Sequence, residues 1–245
     1  RQANYITAIS NYLARWAQAM GARCPIGVVP NGVDTNRFQV LASCFQNKER
    51  KDKIIIHTGR LVKKNGVDVL IESLKFLDPE IKLQILGNGV EEKKLKLEAK
   101  NYHLEARVEF LGHVPPSAVS NYLTQADVFV RSSRSEGLGN SFLEAMAVGL
   151  PVVGTPGGGI PDFLHDPDCQ GESLSYGKDS PLEQTGWFCE VDNPKSIADK
   201  VKYILDPANR DKVEQVISNA QKLVHEKYDW RIISRNIARI IDKLV

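Results

Sequence analysis

The sequence predicts an α/β protein built on a doubly wound parallel sheet, with helices on both faces. Short segments rich in Ile and Val alternate with longer segments of helical apolar spacing, about five times along the chain. The short segments are apolar throughout, which is typical of parallel strands buried on both faces. Glycine follows most of them, which suits a close approach of backbone to ligand at the carboxyl edge of the sheet.

Six segments have the strand pattern: residues 53–58, 81–86, 108–111, 127–130, 151–154 and 187–191. Helices are expected between or after them at residues 67–77, 91–100, 117–123, 141–148 and 194–205. Two more helices follow the sheet, at residues 211–227 and 231–244, and residues 4–20 predict a strand and a helix that precede it. Residues 165–185 form a long polar loop without periodicity.

Composition excludes several classes of protein. With 245 residues, a net charge of +2 and scattered lysines, the chain lacks the basic surface of a nucleic-acid binder. No apolar stretch is long enough to span a bilayer. The four cysteines (Cys24, Cys44, Cys169 and Cys189) have no metal-ligand spacing, and they indicate unpaired thiols in a reducing cytoplasm.

Residues 135–149 carry the strongest functional signal. Gly137 and Gly139 precede a helix for which Asn140 or Ser141 is the expected N-cap. The N–H groups that open this helix would face the strand-end crevice, where they and the helix dipole favour an anion such as a phosphate ester. Glu144, within the helix, can accept hydrogen bonds from ribose hydroxyls, and Glu136 precedes it by eight residues. That spacing fits one extended ligand better than the close carboxylate pair of a glycosidase.

A second cluster, residues 57–66, brings positive charge to the same crevice. Arg60 comes directly after a strand end, and Lys63 and Lys64 follow it. Arginine can bind a phosphate through two parallel hydrogen bonds, whereas lysine adds a mobile point charge.

With these motifs in order, the chain resembles the C-terminal domain of the family 4 retaining glycosyltransferases, which have the two-domain GT-B fold with Rossmann-like halves. The resemblance covers nearly the whole chain and rests on residues 29–34, 59–62, 85–89, 110–114, 135–137, 143–147, 149–153 and 157–162. It implies three parts: residues 1–25 as the end of a preceding N-terminal domain plus linker, 26–228 as the nucleotide-sugar-binding domain, and 229–245 as a C-terminal helix that packs back on the N-terminal domain.

The resemblance implies that the chain holds the donor site of a hexosyltransferase that moves a sugar from a UDP- or GDP-linked donor without a metal or cofactor. Arg60 and Lys64 would hold the diphosphate, Glu136 would contact the transferred sugar, and Glu144 would bind the ribose. His113 and Val114 would meet the base. The other expected donor-binding residues are Gly59, Gly87, Gly137, Leu138, Gly139 and Asn140.

The acceptor, a glycan, lipid or small molecule, would bind the missing N-terminal domain. That domain would also provide any peripheral association with the inner face of the membrane. The isolated chain is therefore expected to be an incomplete enzyme.

The sequence departs from the family at three places. Asn65 stands where the family commonly has a lysine, so Lys64 is the candidate instead, and Leu138 replaces a frequent aromatic residue. Asp166 and Asp168 have the spacing found in metal-dependent transferases, but in the polar loop we interpret them as loop residues and predict no metal site.

Two other functions stay open. One is a sugar-nucleotide-binding module without catalysis. The other is an NAD-type dinucleotide-binding domain, although no Gly-x-Gly-x-x-Gly follows the first strand of the sheet.

Overall fold

The computed structural model describes residues 3–38, 52–169 and 183–244. Cys44 and most of the 165–185 loop lie outside these ranges, so the predictions made for them stay predictions. Within the ranges, Cys24, Cys169 and Cys189 are free thiols.

The strands include all six that the sequence predicts. They are β1 (Ile6–Ala8), β2 (Ile26–Val28), β3 (Lys53–Thr58), β4 (Ile81–Leu86), β5 (Val108–Gly112), β6 (Val128–Arg131), β7 (Val152–Gly154) and β8 (Trp187–Phe188). The sequence pattern did not reveal β2, which has only three residues and includes a glycine.

The helices follow the predicted alternation. They are α1 (Asn11–Ala19), α2 (Val67–Ser73), α3 (Glu92–Asn101), α4 (Pro116–Gln125), α5 (Asn140–Ala147), α6 (Pro194–Leu205), α7 (Arg210–Leu223) and α8 (Trp230–Asp242). One π-helical segment, Val224–Tyr228, joins α7 to the turn before α8.

The main sheet has six parallel strands in the order β5-β4-β3-β6-β7-β8. The chain starts in the middle with β3, winds out to β5, and returns to β6 beside β3 before winding the other way. This is the doubly wound Rossmann-like topology, so the predicted fold class is confirmed. Because the winding reverses between β3 and β6, the crevice at their carboxyl ends is where a sheet of this kind binds ligands.

The sheet buries an apolar layer on each face. Successive strand residues point to opposite sides. Accordingly, Ile55 belongs to the layer formed with α2 and α6, and Ile56 to the layer formed with α5. Both side chains are fully buried. Rigid packing on both faces fixes the strand ends, and hence the loops that follow them.

The first segment is separate from the main sheet. β1 and β2 form a two-stranded parallel sheet connected by α1. The boundary predicted after residue 25 therefore falls between two strands that pair with each other. The side chains of Ile9 and Leu13 lie close to Gly137, so this segment packs beside the loop after β6.

Candidate functional site

The loops that carry the predicted site residues follow neighbouring strands. Gly59 and Arg60 follow β3, whereas residues 132–139 follow β6, and β3 and β6 pair directly. A hydrogen bond links the two strand ends: Arg131 Nη1 donates to the carbonyl of Thr58 over 3.3 Å. The phosphate-binding candidates of both sequence clusters therefore lie at one edge of the sheet.

A cavity of about 250 Å³ opens beside β3 and β4 at this edge. Its volume is below the about 300–1,000 Å³ typical of sites for a whole drug-sized ligand, so it suits one part of a larger molecule. The lining comprises Thr58, Gly59, Arg60, Leu86, Gly87, Asn88, His113, Val114 and Val119. Five of these were predicted from sequence. The other predicted site residues do not line it: Lys64, Glu136, Gly137, Leu138, Gly139, Asn140 and Glu144.

The two predicted cations differ in their surroundings. Arg60 is exposed at the mouth of the cavity, and its carbonyl accepts a 2.6 Å hydrogen bond from Asn65 Nδ2. Lys64 is exposed on a short 3-10 turn (Lys63–Asn65) whose backbone is anchored by Arg134 N, which donates to the Lys64 carbonyl over 2.7 Å. Both side chains can therefore swing toward an anion without breaking a buried contact.

The start of α5 differs from the prediction at its cap. Neither Asn140 nor Ser141 is the N-cap: Gly139 occupies that position at φ +97°, and no side chain caps the helix. Because no side chain caps the helix, the N–H groups of Asn140 and Ser141 lack the usual cap acceptor, whereas the N–H of Phe142 donates to the Gly139 carbonyl over 2.9 Å. Leu138 is buried in the core, so only its backbone could meet a ligand, and Asn140 is exposed, with its Oδ1 accepting from Asn31 Nδ2 over 3.3 Å.

A triple-glycine loop fixes the backbone of residues 136 and 137. Gly159 N donates to the carbonyl of Glu136 over 3.1 Å. At Gly158, where φ is +65°, a Cβ atom would overlap that same carbonyl, and at Gly159 it would overlap the carbonyl of Gly137. Glycine is therefore required for this close backbone contact.

Glu136 forms an ion pair with Arg131. Glu136 Oε2 lies 2.6 Å from Arg131 Nη2, and both side chains are only about a tenth exposed, at 12% and 11%. The other carboxylate oxygen, Oε1, accepts from the N–H of Gly137 over 3.1 Å. The carboxylate predicted to meet the transferred sugar is thus held at the crevice by a buried guanidinium.

Glu144 lies mostly buried on α5, between apolar neighbours that enter the core. Burial raises the pKa of its carboxyl group above the usual value, while the positive charges of Arg37 and Arg131 lower it. Glu144 is only partly exposed to solvent, and it lies within electrostatic range of two arginines.

Sequence reasoning missed three residues of this site: Arg131, Asn65 and Arg37. Arg131 could have been found, because it directly follows the buried run 128–130 and so belongs to the strand-end positions. Asn65 was noted only as a departure from the family, and its contact with Arg131 could not be read from the sequence. Arg37 gave no signal, since its charge acts on Glu144, which is distant in the chain.

Asp166 has a structural role. The carboxylate is buried and accepts hydrogen bonds from Phe188 N over 2.7 Å and from Asp168 N over 3.3 Å. His165 and Thr185 exchange hydrogen bonds, so the two ends of the polar loop are joined. Among the described residues, no cluster of three or more His, Cys, Asp or Glu side chains could hold a metal ion.

Residues 43–223 match the model of the glycosyl transferases group 1. The chain belongs to this family. The resemblance inferred from the ordered motifs is therefore confirmed, and with it the assignment to an enzyme family of glycosyltransferases.

Curated relatives agree with this assignment. A glycosyltransferase of Escherichia coli named for colanic acid biosynthesis, WcaL, is 29% identical over all of this chain and 58% of its own length. The sulfoquinovosyl transferase SQD2 of Arabidopsis thaliana is 30% identical over 84% of the chain and 38% of its own length. The N-acetyl-alpha-D-glucosaminyl L-malate synthase of Bacillus anthracis is 31% identical over 83% of the chain and 51% of its own length. The chain thus spans about half the length of these relatives.

Solved structures share the fold. HepE of Anabaena, in a complex with UDP and glucose, superposes with a TM-score of 0.82 at 22% identity over 98% of this chain and 63% of its own. Sucrose-phosphate synthase of Thermosynechococcus elongatus gives 0.83 at 20% identity over 99% of this chain and 58% of its own.

Within residues 3–38, 52–169 and 183–244, none of the helices combines the length and the apolar character that crossing a bilayer requires.

Proposed function

We propose that this chain holds the donor site of a retaining glycosyltransferase whose substrate is a nucleoside-diphosphate sugar. The observation that carries the proposal is the convergence of Arg60, the uncapped start of α5 and the Arg131–Glu136 pair at the carboxyl ends of two paired strands. Positive charge, free amides and a carboxylate in one crevice match the parts of such a donor: a pyrophosphate and two sets of sugar hydroxyls.

Each part of the donor has a proposed place. The base enters the cavity between Gly59, Gly87, His113 and Val114, and Glu144 accepts hydrogen bonds from the ribose. Arg60, Lys64 and the amides of residues 138–140 hold the diphosphate, whereas the amide of Gly137 donates to Glu136. Glu136 contacts the sugar that is transferred.

The chemistry requires a stabilised leaving group. As the bond between the sugar carbon and the diphosphate breaks, negative charge grows on the diphosphate oxygens and the sugar carbon becomes cation-like. Preorganised cations and amides lower the energy of that charge separation, and one such donor contributes about 10²–10³ in rate. With retention, the acceptor attacks from the face that the diphosphate leaves, and the departing phosphate takes the acceptor proton.

Relatives support a nucleotide donor. HepE has been solved with UDP-glucose at 21% identity to this chain. A GDP-mannose-dependent mannosyltransferase of Mycolicibacterium smegmatis is 32% identical over 67% of this chain. We therefore propose a UDP- or GDP-linked sugar, with no resident metal or cofactor. The acceptor would be bound by the part of the relatives' length that this chain does not span.

A melting assay tests the proposal. UDP- or GDP-sugars are expected to raise the melting temperature of the chain, whereas NAD is not. Arg60→Ala is expected to abolish protection by the nucleoside diphosphate and to leave the ligand-free melting temperature unchanged, because the side chain is exposed.

Lys63→Ala is the control for Arg60→Ala, since Lys63 is also an exposed cation of the same loop and has no assigned role. Protection by NAD alone would overturn the proposal. Protection of Arg60→Ala equal to that of the wild type would place the phosphate elsewhere.

A further inference from the structure

Arg131 is the most highly connected side chain at the switch point of the sheet. It ends β6 and is only 11% exposed. Its Nε donates to Ser133 Oγ over 3.1 Å, and Nη1 donates to the Thr58 carbonyl over 3.3 Å and to Ser141 Oγ over 2.8 Å. Nη2 donates to Asn65 Oδ1 over 3.3 Å and lies 2.6 Å from Glu136 Oε2. An arginine has five N–H donors, and here the guanidinium makes four hydrogen bonds within the protein and an ion pair with Glu136.

The acceptors belong to separate parts of the proposed donor site. Thr58 ends the strand that leads into Arg60, and Asn65, in turn, donates to the Arg60 carbonyl. Ser141 lies in the first turn of α5, whereas Glu136 is the carboxylate proposed to meet the sugar. A single guanidinium therefore joins the cation segment, the anion-binding helix and the sugar-binding carboxylate.

Stability alone gives little reason for such an arrangement. Removing two charges from water costs several kcal/mol per ion in a protein interior, and a buried ion pair is often no more stabilising than apolar residues of the same volume. What a multiply bonded guanidinium provides is orientation, because its planar fork fixes both of its partners and its own rotamer.

The hydrogen bonds of Arg131 argue against a direct contact between its guanidinium and the diphosphate. A phosphate oxygen would have to compete for the guanidinium with its four hydrogen-bond acceptors and with the Glu136 carboxylate. Arg60 needs no such exchange, because it is exposed at the cavity mouth.

We propose that Arg131 is the positioning residue of the donor site, holding Glu136 against the transferred sugar and fixing it relative to Arg60 and the start of α5. This inference rests on the proposed function. It predicts that Arg131 acts on the recognition of the sugar, through Glu136, and not on the affinity for the nucleoside diphosphate.

The test compares Kd values for nucleoside diphosphates and their sugars by calorimetry, with UDP against UDP-glucose and GDP against GDP-mannose. Arg131→Lys keeps the charge but cannot make the five-donor fork. Its affinity for the nucleoside diphosphate is expected to stay near that of the wild type. Its affinity for the nucleotide sugar is expected to fall about tenfold, the loss typical of one charge-assisted hydrogen bond.

Arg107→Lys is the matched control. Arg107 also uses its guanidinium on several acceptors, the carbonyls of Leu74, Leu77, Asp78 and Ile81, but it lies before the start of β5, at the opposite edge of the sheet. The same substitution there is expected to lower the melting temperature and to leave both Kd values unchanged. A merely structural role for Arg131 would give this result as well, and would overturn the inference.

A second comparison covers the case in which Arg131→Lys does not fold. The double variant Arg131→Gln with Glu136→Gln leaves no unpaired charge, and it is expected to discriminate nucleotide sugar from nucleoside diphosphate as Glu136→Gln alone does. A further loss in the double variant would show that Arg131 acts independently of Glu136, which contradicts the inference.

The two hypotheses fail differently. If none of the four nucleotides binds the wild-type chain, the proposed function fails and the inference fails with it. If the wild type prefers the nucleotide sugar and Arg131→Lys keeps that preference, or loses both affinities by the same factor, only the inference about Arg131 fails.

Discussion

At the scale of single residues, His57 is a buried group next to the site. It lies on β3, is fully buried, and its Nδ1 is 3.2 Å from the Val130 carbonyl. Burial and then the nearby charge of Arg131 lower the pKa of His57 to about 3, despite the opposing hydrogen bond with Val130. The imidazole is therefore neutral in the folded protein at neutral pH, and a second positive charge beside Arg131 is avoided.

This pKa predicts how stability depends on pH. The unfolded chain binds a proton at His57 near pH 6.5, whereas the folded chain does so only near pH 3. Between these values the unfolded state binds more protons than the folded state. The contribution of neutral His57 to the free energy of unfolding is therefore fully present above about pH 6.5, and it is lost as the pH decreases toward 3. One such group gives a slope of about 1.4 kcal/mol per pH unit once the unfolded-state histidine is protonated.

His57→Asn is expected to reduce this slope, because the asparagine amide can replace the donor to Val130 but does not titrate. Urea unfolding between pH 7 and 5 measures the effect. Burial also lowers the pKa of His165, to about 4, so part of the slope is expected to remain in the variant. His225→Asn, at an exposed position, is the control and should keep the wild-type slope. Equal slopes for His57→Asn and the wild type would contradict the prediction.

At the scale of elements, the site is built from strand ends whose loops contact each other through backbone atoms. The 157–159 loop after β7 packs on residues 136 and 137, and the turn after β4 packs on Gly59. Side chains would keep these loops apart. From the sequence alone these glycines indicate only turns. In the structure they also determine how closely the loops of the proposed donor site approach each other.

Gly158→Ala tests this packing. Gly158 (φ +65°) and Gly112 (φ +64°) have nearly the same left-handed conformation, but a Cβ at Gly112 would meet no atom within 4 Å. The backbone strain, about 1–2 kcal/mol, is thus common to both alanine variants. Gly158→Ala is expected to lose more unfolding free energy than Gly112→Ala and to weaken nucleotide-sugar binding, because the Glu136 carbonyl must move.

Urea unfolding of the two glycine variants and calorimetry of Gly158→Ala provide the measurements. Equal losses of unfolding free energy in both variants would show that the Glu136 carbonyl can move away from the new Cβ atom without loss of stability.

At the scale of the whole molecule, α8 and the end of α1 have exposed apolar side chains. On α8 these are Trp230, Ile237 and Ile241, with exposed fractions of 47%, 40% and 53%. At the end of α1 they are Trp16 and Met20, the residue that follows the helix, at 56% and 68%. The start of α8 is fixed, since Asp229 accepts hydrogen bonds from Arg231 and from Thr35, and these hold the pKa of its carboxyl group well below the usual range. We propose that these faces are covered by the acceptor-binding part of the longer relatives.

The isolated chain is expected to bind the donor but to transfer sugar slowly or not at all. Joining it to the remaining part of a longer relative, such as WcaL, is expected to raise the rate of transfer by orders of magnitude, because acceptor and donor are then held together. Product formation per mole of protein measures this. Transfer by the isolated chain at the rate of the joined protein would contradict the division into two halves, and binding without transfer in the joined protein would favour a non-catalytic module.

The sequence alone determined the fold class, six strands of the main sheet, and the family, because these depend on local apolar periodicity and on ordered short motifs. It also located the Glu136 loop and Arg60, since strand-end positions in a doubly wound sheet are readable from the pattern. Only the tertiary structure revealed the Arg131 network, the role of Gly139 as helix cap, and the pairing of β1 with β2. These depend on contacts between residues far apart in the chain, such as Arg131 with Thr58, and periodicity contains no information about which distant side chains meet.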